Sequence, residues 1–138
     1  MQITHAQLEE DLLAAFGVEA VNLICCGKFS DLAERFGYAL AFDRNPMKAI
    51  EQDLACCLNE LQAVALAPLG RNAPKVSYFQ PNDTGLVALL ELLVPTNNGQ
   101  QVLVELVVTG NGSELHITLE ELSAVKELSA VEELSAVA

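Results

Sequence analysis

The clearest pattern of apolar and polar positions lies between residues 86 and 108. Two runs rich in leucine and valine, LVALLELLVP and QQVLVELVV, flank the sequence TNNG. The dipeptide Asn98-Gly99 tolerates the positive φ angles of a two-residue type I′ turn, so this stretch predicts a β-hairpin. In that register Glu91 pairs with Leu106.

Both faces of this predicted hairpin are apolar, apart from Glu91 on one face and Glu105 on the other. An antiparallel sheet with one solvated face alternates between apolar and polar residues, so both faces are expected to need cover. A buried helix over residues 86–94 is the alternative, because periodicity alone does not decide the structure of short apolar runs.

Helices are predicted in the first half of the chain. A capping box from Thr4 to Gln7 predicts a helix over residues 5–16 that Gly17 can close. Residues 18–26 fit either a buried strand or a helix, and a short helix is expected to end at Phe36. The clearest amphipathic helix spans residues 46–63 after a cap at Asn45 and Pro46, with an apolar stripe of Met47, Ile50, Leu54, Cys57, Leu58 and Leu61.

Strands are predicted on either side of the hairpin. Residues 75–80 and 114–119 alternate between apolar and polar side chains, whereas residues 38–42 fit a short strand or an extended entry to the next helix. In the last strand Leu115, Ile117 and Leu119 are expected to point inward, with His116 and Thr118 outward. The prediction is therefore an α+β fold in which N-terminal helices pack on a four-stranded antiparallel meander.

The C-terminal residues repeat the sequence ELSAV three times, starting at Glu121, Glu127 and Glu133. Glutamate, leucine and alanine predominate without glycine or proline, which favours a helix. We therefore predict one α+β domain over residues 1–120 and a helical repeat tail over residues 121–138. The tail is either a tolerated duplication or an interaction helix that packs on the sheet or on a partner.

Charge and composition narrow the function. The chain of 138 residues has a net charge of −12 and is 51% hydrophobic, which suits a globular domain. No lysine or arginine occurs between Lys75 and Lys126, which argues against nucleic acid and anionic membranes as partners. No apolar run reaches the roughly 20 residues that span a bilayer, and no secretory signal is recognised, so a cytoplasmic protein is expected.

Few residues point to chemistry. The cysteines form two adjacent pairs, Cys25-Cys26 and Cys56-Cys57, which do not match the spacing of zinc sites and are expected to be small buried hydrophobes. His5 and His116 lie in no catalytic motif. No catalytic, metal-binding or cofactor-binding residue is assigned.

Glu91 and Glu105 are the remaining candidates. They fall on opposite faces in the predicted register and so do not form a paired-carboxylate site. If either is buried, desolvation should raise its pKa.

The favoured function is a non-enzymatic protein-interaction module, adaptor or chaperone-like. It would bind a partner protein or self-associate as a homodimer through apolar sheet surface. One alternative is a small-ligand-binding or enzymatic α+β domain that uses a buried glutamate or cysteine. Another is an acidic regulator that mimics nucleic acid, which requires carboxylates clustered on one face.

Overall fold

The computed structural model describes residues 1–70, 73–111 and 113–125, which form an α+β fold. Its helices are α1 (Glu10–Cys25), α2 (Phe29–Phe36) and α3 (Pro46–Glu60). Its strands are β1 (Gln2–Ile3), β2 (Lys75–Tyr78), β3 (Leu86–Pro95), β4 (Gln101–Asn111) and β5 (Glu114–Val125). They form one antiparallel sheet in the order β1-β5-β4-β3-β2.

The first helix differs from the prediction. The backbone N–H of Thr4 donates to Gln7 Oε1 at 2.8 Å, but this capping interaction opens a short 3-10 helix at His5–Leu8. The α-helix starts afterwards and continues past Gly17 to Cys25, so residues 18–25 are helical. Gly17 lies inside the helix and does not end it; it is buried against β3, where a Cβ would meet the side chains of Leu92 and Leu90.

The second and third helices agree with the pattern of the sequence. α2 ends at Phe36, and Gly37 follows it as the capping residue with a φ of +72°, which suits a glycine. α3 begins where Asn45 Oδ1 accepts a hydrogen bond from the backbone N–H of Lys48 at 3.2 Å. It ends at Glu60, earlier than predicted. Of the predicted apolar stripe, the buried residues are Ile50, Leu54 and Cys57 within the helix and Leu61 directly after it. None of the helices in the described ranges has the length and apolar character that crossing a bilayer requires.

With the described part of the chain, the segment between α2 and α3 makes one strand-like contact, a bridge between Tyr38 and Leu119, before a 3-10 turn at Ala39–Ala41. The Tyr38 hydroxyl donates to Asp53 Oδ2 at 2.5 Å, and the Arg44 guanidinium donates to both Asp53 oxygens at 2.9 and 3.2 Å. The guanidinium holds the pKa of Asp53 below its ordinary value. These bonds fix the segment against α3.

The hairpin of β3 and β4 forms, but its register is one residue away from the predicted one. The backbone N–H of Thr96 donates to the carbonyl of Gln100 at 2.9 Å, which leaves a three-residue loop ending at Gly99 with φ +83°. Glu91 therefore pairs with Glu105, and the predicted pairing with Leu106 is wrong.

This loop is held by contacts with the end of α3. Asn98 Nδ2 donates to the carbonyls of Leu61 and Gln62, each at 3.0 Å. Asn97 Oδ1 accepts from the backbone N–H of Val64 at 2.9 Å. Both asparagine side chains thus satisfy backbone groups just beyond the helix, which favours the longer loop.

The observed register gives the sheet one wholly apolar face, called the inner face here. On β3 and β4 it consists of Ala88, Leu90, Leu92, Val94, Val102, Val104, Leu106 and Val108, all between 0 and 1% exposed. The described helices pack on this side, and together with it they form the hydrophobic core. The expectation that both hairpin faces are equally apolar is therefore wrong.

The last strand is longer than predicted and includes the first ELSAV copy, residues 121–125. These residues pair with the start of β4, so the predicted helix is wrong for this copy. A bulge lies at Glu120, because Leu119 pairs with Leu106 whereas Glu121 pairs with Glu105. Residues 126–138 of the predicted tail lie outside the described residues.

Candidate functional site: the outer face of the sheet

The second face of the sheet, called the outer face here, points away from the helical layer. Its apolar side chains are half-buried by their neighbours or exposed, and Leu93 is 41% exposed. They are Leu89, Leu93, Leu103, Val107 and Val125. Alternation along each strand places them opposite the core, so they contribute apolar surface without joining the buried cluster.

A row of charged residues crosses this face from β2 to β5. Lys75 pairs with Glu91, Glu91 with Glu105, and Glu105 with Glu121. We call the three glutamates the acidic row. Neighbouring strands are about 4.8 Å apart, so the carboxylates of the row lie side by side.

Glu105 occupies the centre of the acidic row. Partial burial raises its pKa, and the charges of Glu121, Glu91 and Glu120 raise it further. These neighbours come from β3, from the bulge residue of β5 and from the residue that follows it, whereas Lys75 lies beyond Glu91 at the end of the row. Ionisation of the Glu105 carboxyl group is thus less favourable in the folded protein than in the unfolded chain.

Apolar rows flank the acidic row on both sides. Leu89 pairs with Val107 above it, and Leu93 pairs with Leu103 below it. Each flanking row is two residues along the strand, a distance of about 6.8 Å. The outer face therefore presents an apolar, acidic, apolar pattern whose two apolar rows are about 14 Å apart.

The lower apolar row opens into a groove of about 500 Å³. Its apolar lining consists of Ala73, Leu93, Leu103 and Val125, and its polar groups come from Lys75, Glu91 and Gln101. It is an open groove on a sheet surface and is suited to the side chains of a larger ligand.

The structure brings together two glutamates that the predicted register had separated. Glu91 and Glu105 lie opposite each other on one face, so their assignment to opposite faces was wrong. A signal in the sequence could have shown this. When the predicted hairpin register is moved by one residue, both glutamates fall on one face. The opposite face is then entirely apolar, as a buried face requires.

The described residues do not provide a metal site, and His116 lies away from the acidic row. His116 lies on the outer face beside Thr109, about 14 Å along β4 from Glu105, and its Nε2 is 3.5 Å from Glu114 Oε2. In the described ranges no group of three or more histidine, cysteine, aspartate or glutamate side chains could hold a metal ion.

The cysteines differ from the prediction of buried thiols. Only Cys57 is buried, whereas Cys25, Cys26 and Cys56 are exposed on the helical layer. Cys25 and Cys26 line a cleft of about 760 Å³ beside Leu66. Partial burial raises the pKa of Cys25, and burial raises the pKa of Cys57 to about 11. Neither of these two thiols is therefore activated as a nucleophile at neutral pH.

We expect Glu105→Gln to stabilise the protein by about 0.5–1 kcal/mol at neutral pH, the size of an unfavourable cross-strand pair. Because the folded state raises the pKa of Glu105, it binds the proton more tightly than the unfolded chain does. The difference in stability between the variant and the wild type should therefore shrink as the pH falls through the raised pKa. It should vanish below the ordinary pKa value of 4.5.

Urea denaturation at neutral pH and at acidic pH, followed by circular dichroism, measures this difference. Glu51→Gln, on the exposed side of α3, is the matched control and should leave stability nearly unchanged. An equal effect of Glu105→Gln at both pH values would show that charge repulsion in the row is not the cause.

Comparison with protein-family models, with curated proteins and with solved structures gave no match for this chain.

Proposed function

We propose that this chain is a non-enzymatic protein-interaction module that binds another protein through the outer face. The observation that carries the proposal is the placement of Leu89, Leu93, Leu103 and Val107 on the side of the sheet opposite the helical layer. Contiguous apolar surface with polar residues beside it is typical of binding sites. The inner face already supplies the core, so these side chains are not needed to complete it.

Several features support binding in preference to catalysis. The groove beside Leu103 is open, and it lies on a sheet surface where two apolar rows flank the acidic row, which suits a polypeptide. The raised pKa values of Cys25 and Cys57 keep those thiols protonated. Carboxylates of the acidic row alternate with leucine and valine rows, which favours a protein partner over mimicry of nucleic acid.

The acidic row also bears on whether the partner is a second copy of this chain. Two outer faces packed together would bring two sets of glutamates towards each other and desolvate them. Like charges opposed in an interface cost several kcal/mol, on the order of a whole hot-spot contact. We therefore propose a different protein as the partner, and expect a monomer in sedimentation velocity at neutral pH and high micromolar concentration.

The proposal is tested by using the full chain as bait and quantifying the captured proteins by mass spectrometry. Leu103→Asn should reduce capture of the specific partner by at least about tenfold, because truncated central apolar anchors cost 1.4 kcal/mol or more. Leu103 is half-buried on the outer face and outside the buried cluster, so the variant should remain folded.

Phe42→Asn is the matched control for this experiment. Phe42 is 81% exposed in the segment before α3, and asparagine tolerates its φ of +55°. Capture should be unchanged in this variant. Loss of the partner with Phe42→Asn but not with Leu103→Asn would place the interaction on the helical layer and contradict the proposal.

A further inference from the structure

The charge of the outer face restricts what can bind there. The carboxylates of Glu91, Glu120 and Glu121 surround that of Glu105, and among the described residues the cation that pairs into the row is Lys75, at its end. An occupant that covers Leu89 and Leu103 together must also cover the carboxylate between them. Without a positive charge, that occupant would leave a desolvated anion under it, which is unfavourable.

A second copy of this chain and its own C-terminal segment are both unfavourable occupants of the outer face, because both carry excess negative charge. A second copy would present the same acidic row. Residues 126–138 contain one lysine and three glutamates, so that segment is also acidic. Complementarity therefore favours a cationic partner.

The geometry of the face favours a helix as the bound element. An extended segment lying on a sheet face leaves its backbone N–H and carbonyl groups without sheet partners, whereas a helix satisfies its own. The step of about 6.8 Å between rows is close to four or five residues of helix, at 1.5 Å per residue. Residues at i, i+4 and i+8 of a helix could then lie on the first apolar row, the acidic row and the second apolar row.

We infer that the partner recognised by the outer face is a cationic amphipathic helix, with a lysine or arginine on the acidic row between two apolar side chains. This inference rests on the proposed function and specifies its partner. The aliphatic stem of the basic residue packs between Leu93 and Val107, while its charged group reaches Glu105. A cation there offsets the cost of ionising Glu105, whose pKa is raised in the free protein.

The probes are helix-forming peptides with an uncharged background of alanine and glutamine, and they differ only in the position or sign of a single charged residue. The first has leucine at i and i+8 and lysine at i+4. The second has the same composition, but its lysine is moved to i+6, on the opposite side of the helix. The third has glutamate at i+4. Affinities are measured for the full chain by titration calorimetry.

The first peptide should bind about tenfold more tightly than the second, as expected for a charge-assisted hydrogen bond in a partly desolvated site. Because the two have equal charge, general attraction to an acidic protein cannot produce the difference. Glu105→Gln should remove most of it, and Glu51→Gln should preserve it. Binding of the first peptide should also weaken as the pH falls through the pKa of Glu105.

Other outcomes separate this inference from the proposed function. Equal affinity for all three peptides, lost on Leu103→Asn, would overturn the cationic helix and leave the outer face as a protein-binding surface. Failure of the first peptide to bind would also overturn the inference, and the capture experiment would then decide the proposed function. Binding that neither Leu103→Asn nor Glu105→Gln weakens would contradict both.

Discussion

Gly17→Val is expected to lower the free energy of unfolding by about 2–3 kcal/mol, because α1 touches β3 too closely to admit a side chain. A Cβ at Gly17 would lie 3.1 and 3.3 Å from the two δ carbons of Leu92 and 3.5 Å from Leu90. Leu92 is 1% exposed, so it has little room to move. The two γ methyls of valine would have to displace it or push the helix from the sheet.

Helix propensity alone predicts the opposite result, since valine is better than glycine inside a helix by a few tenths of a kcal/mol. Urea denaturation followed by far-UV circular dichroism distinguishes the two. Ala15→Val, at an exposed position of α1, controls for β-branching and should cost only about 0.5 kcal/mol. An unchanged or raised midpoint for Gly17→Val would show that the contact with Leu92 does not limit the helix-to-sheet distance.

Asn98→Ala is expected to destabilise the protein by about 1.5 kcal/mol through the loss of three hydrogen bonds in a partly exposed loop. The amide nitrogen bridges the carbonyls of Leu61 and Gln62 beyond α3, and the amide oxygen accepts from the Thr96 hydroxyl at 2.5 Å. Thr96 is the buried polar residue that closes the hairpin loop. Losing Asn98 therefore loosens both the loop and the end of the helix.

The same denaturation measurement applies, with Asn59→Ala on the exposed side of α3 as the control. That variant should change stability by no more than about 0.5 kcal/mol. If Asn98→Ala behaves like the control, the hairpin register is maintained by the strands alone. The loop contacts would then have no measurable share in selecting it.

The hairpin shows how far apolar patterning can predict this fold. The pattern located β3 and β4 and both glutamates, but two registers one residue apart preserve the alternation within each strand. They differ in which residues share a face. The choice between them depends partly on Asn97 and Asn98, whose side chains bind backbone groups beyond α3. Such long-range contacts have no local signature, so the signal for the observed register, and with it the acidic row, is the wholly apolar face that this register creates.

The predicted end of the first helix and the predicted helix in the first ELSAV copy were wrong for related reasons. Gly17 indicates a helix end when read locally, but in the fold it serves the close approach of α1 and β3. The first ELSAV copy has a composition typical of helices, yet its residues extend β5 and pair with β4. The bulge at Glu120 resets the alternation, so Leu119 and Leu122 both face the core. Tertiary pairing outweighs intrinsic propensity at both places.

The exposed thiols of the helical layer have a practical consequence for handling the protein. Cys25, Cys26 and Cys56 are accessible to solvent, so air oxidation can join two molecules through intermolecular disulfides. Such a pair would be linked back to back, with each sheet surface still open to ligand. Its doubled mass would imitate a homodimer in sedimentation until a reducing agent separated it. Samples kept reduced, or carrying serine at these three positions, would report the true assembly state.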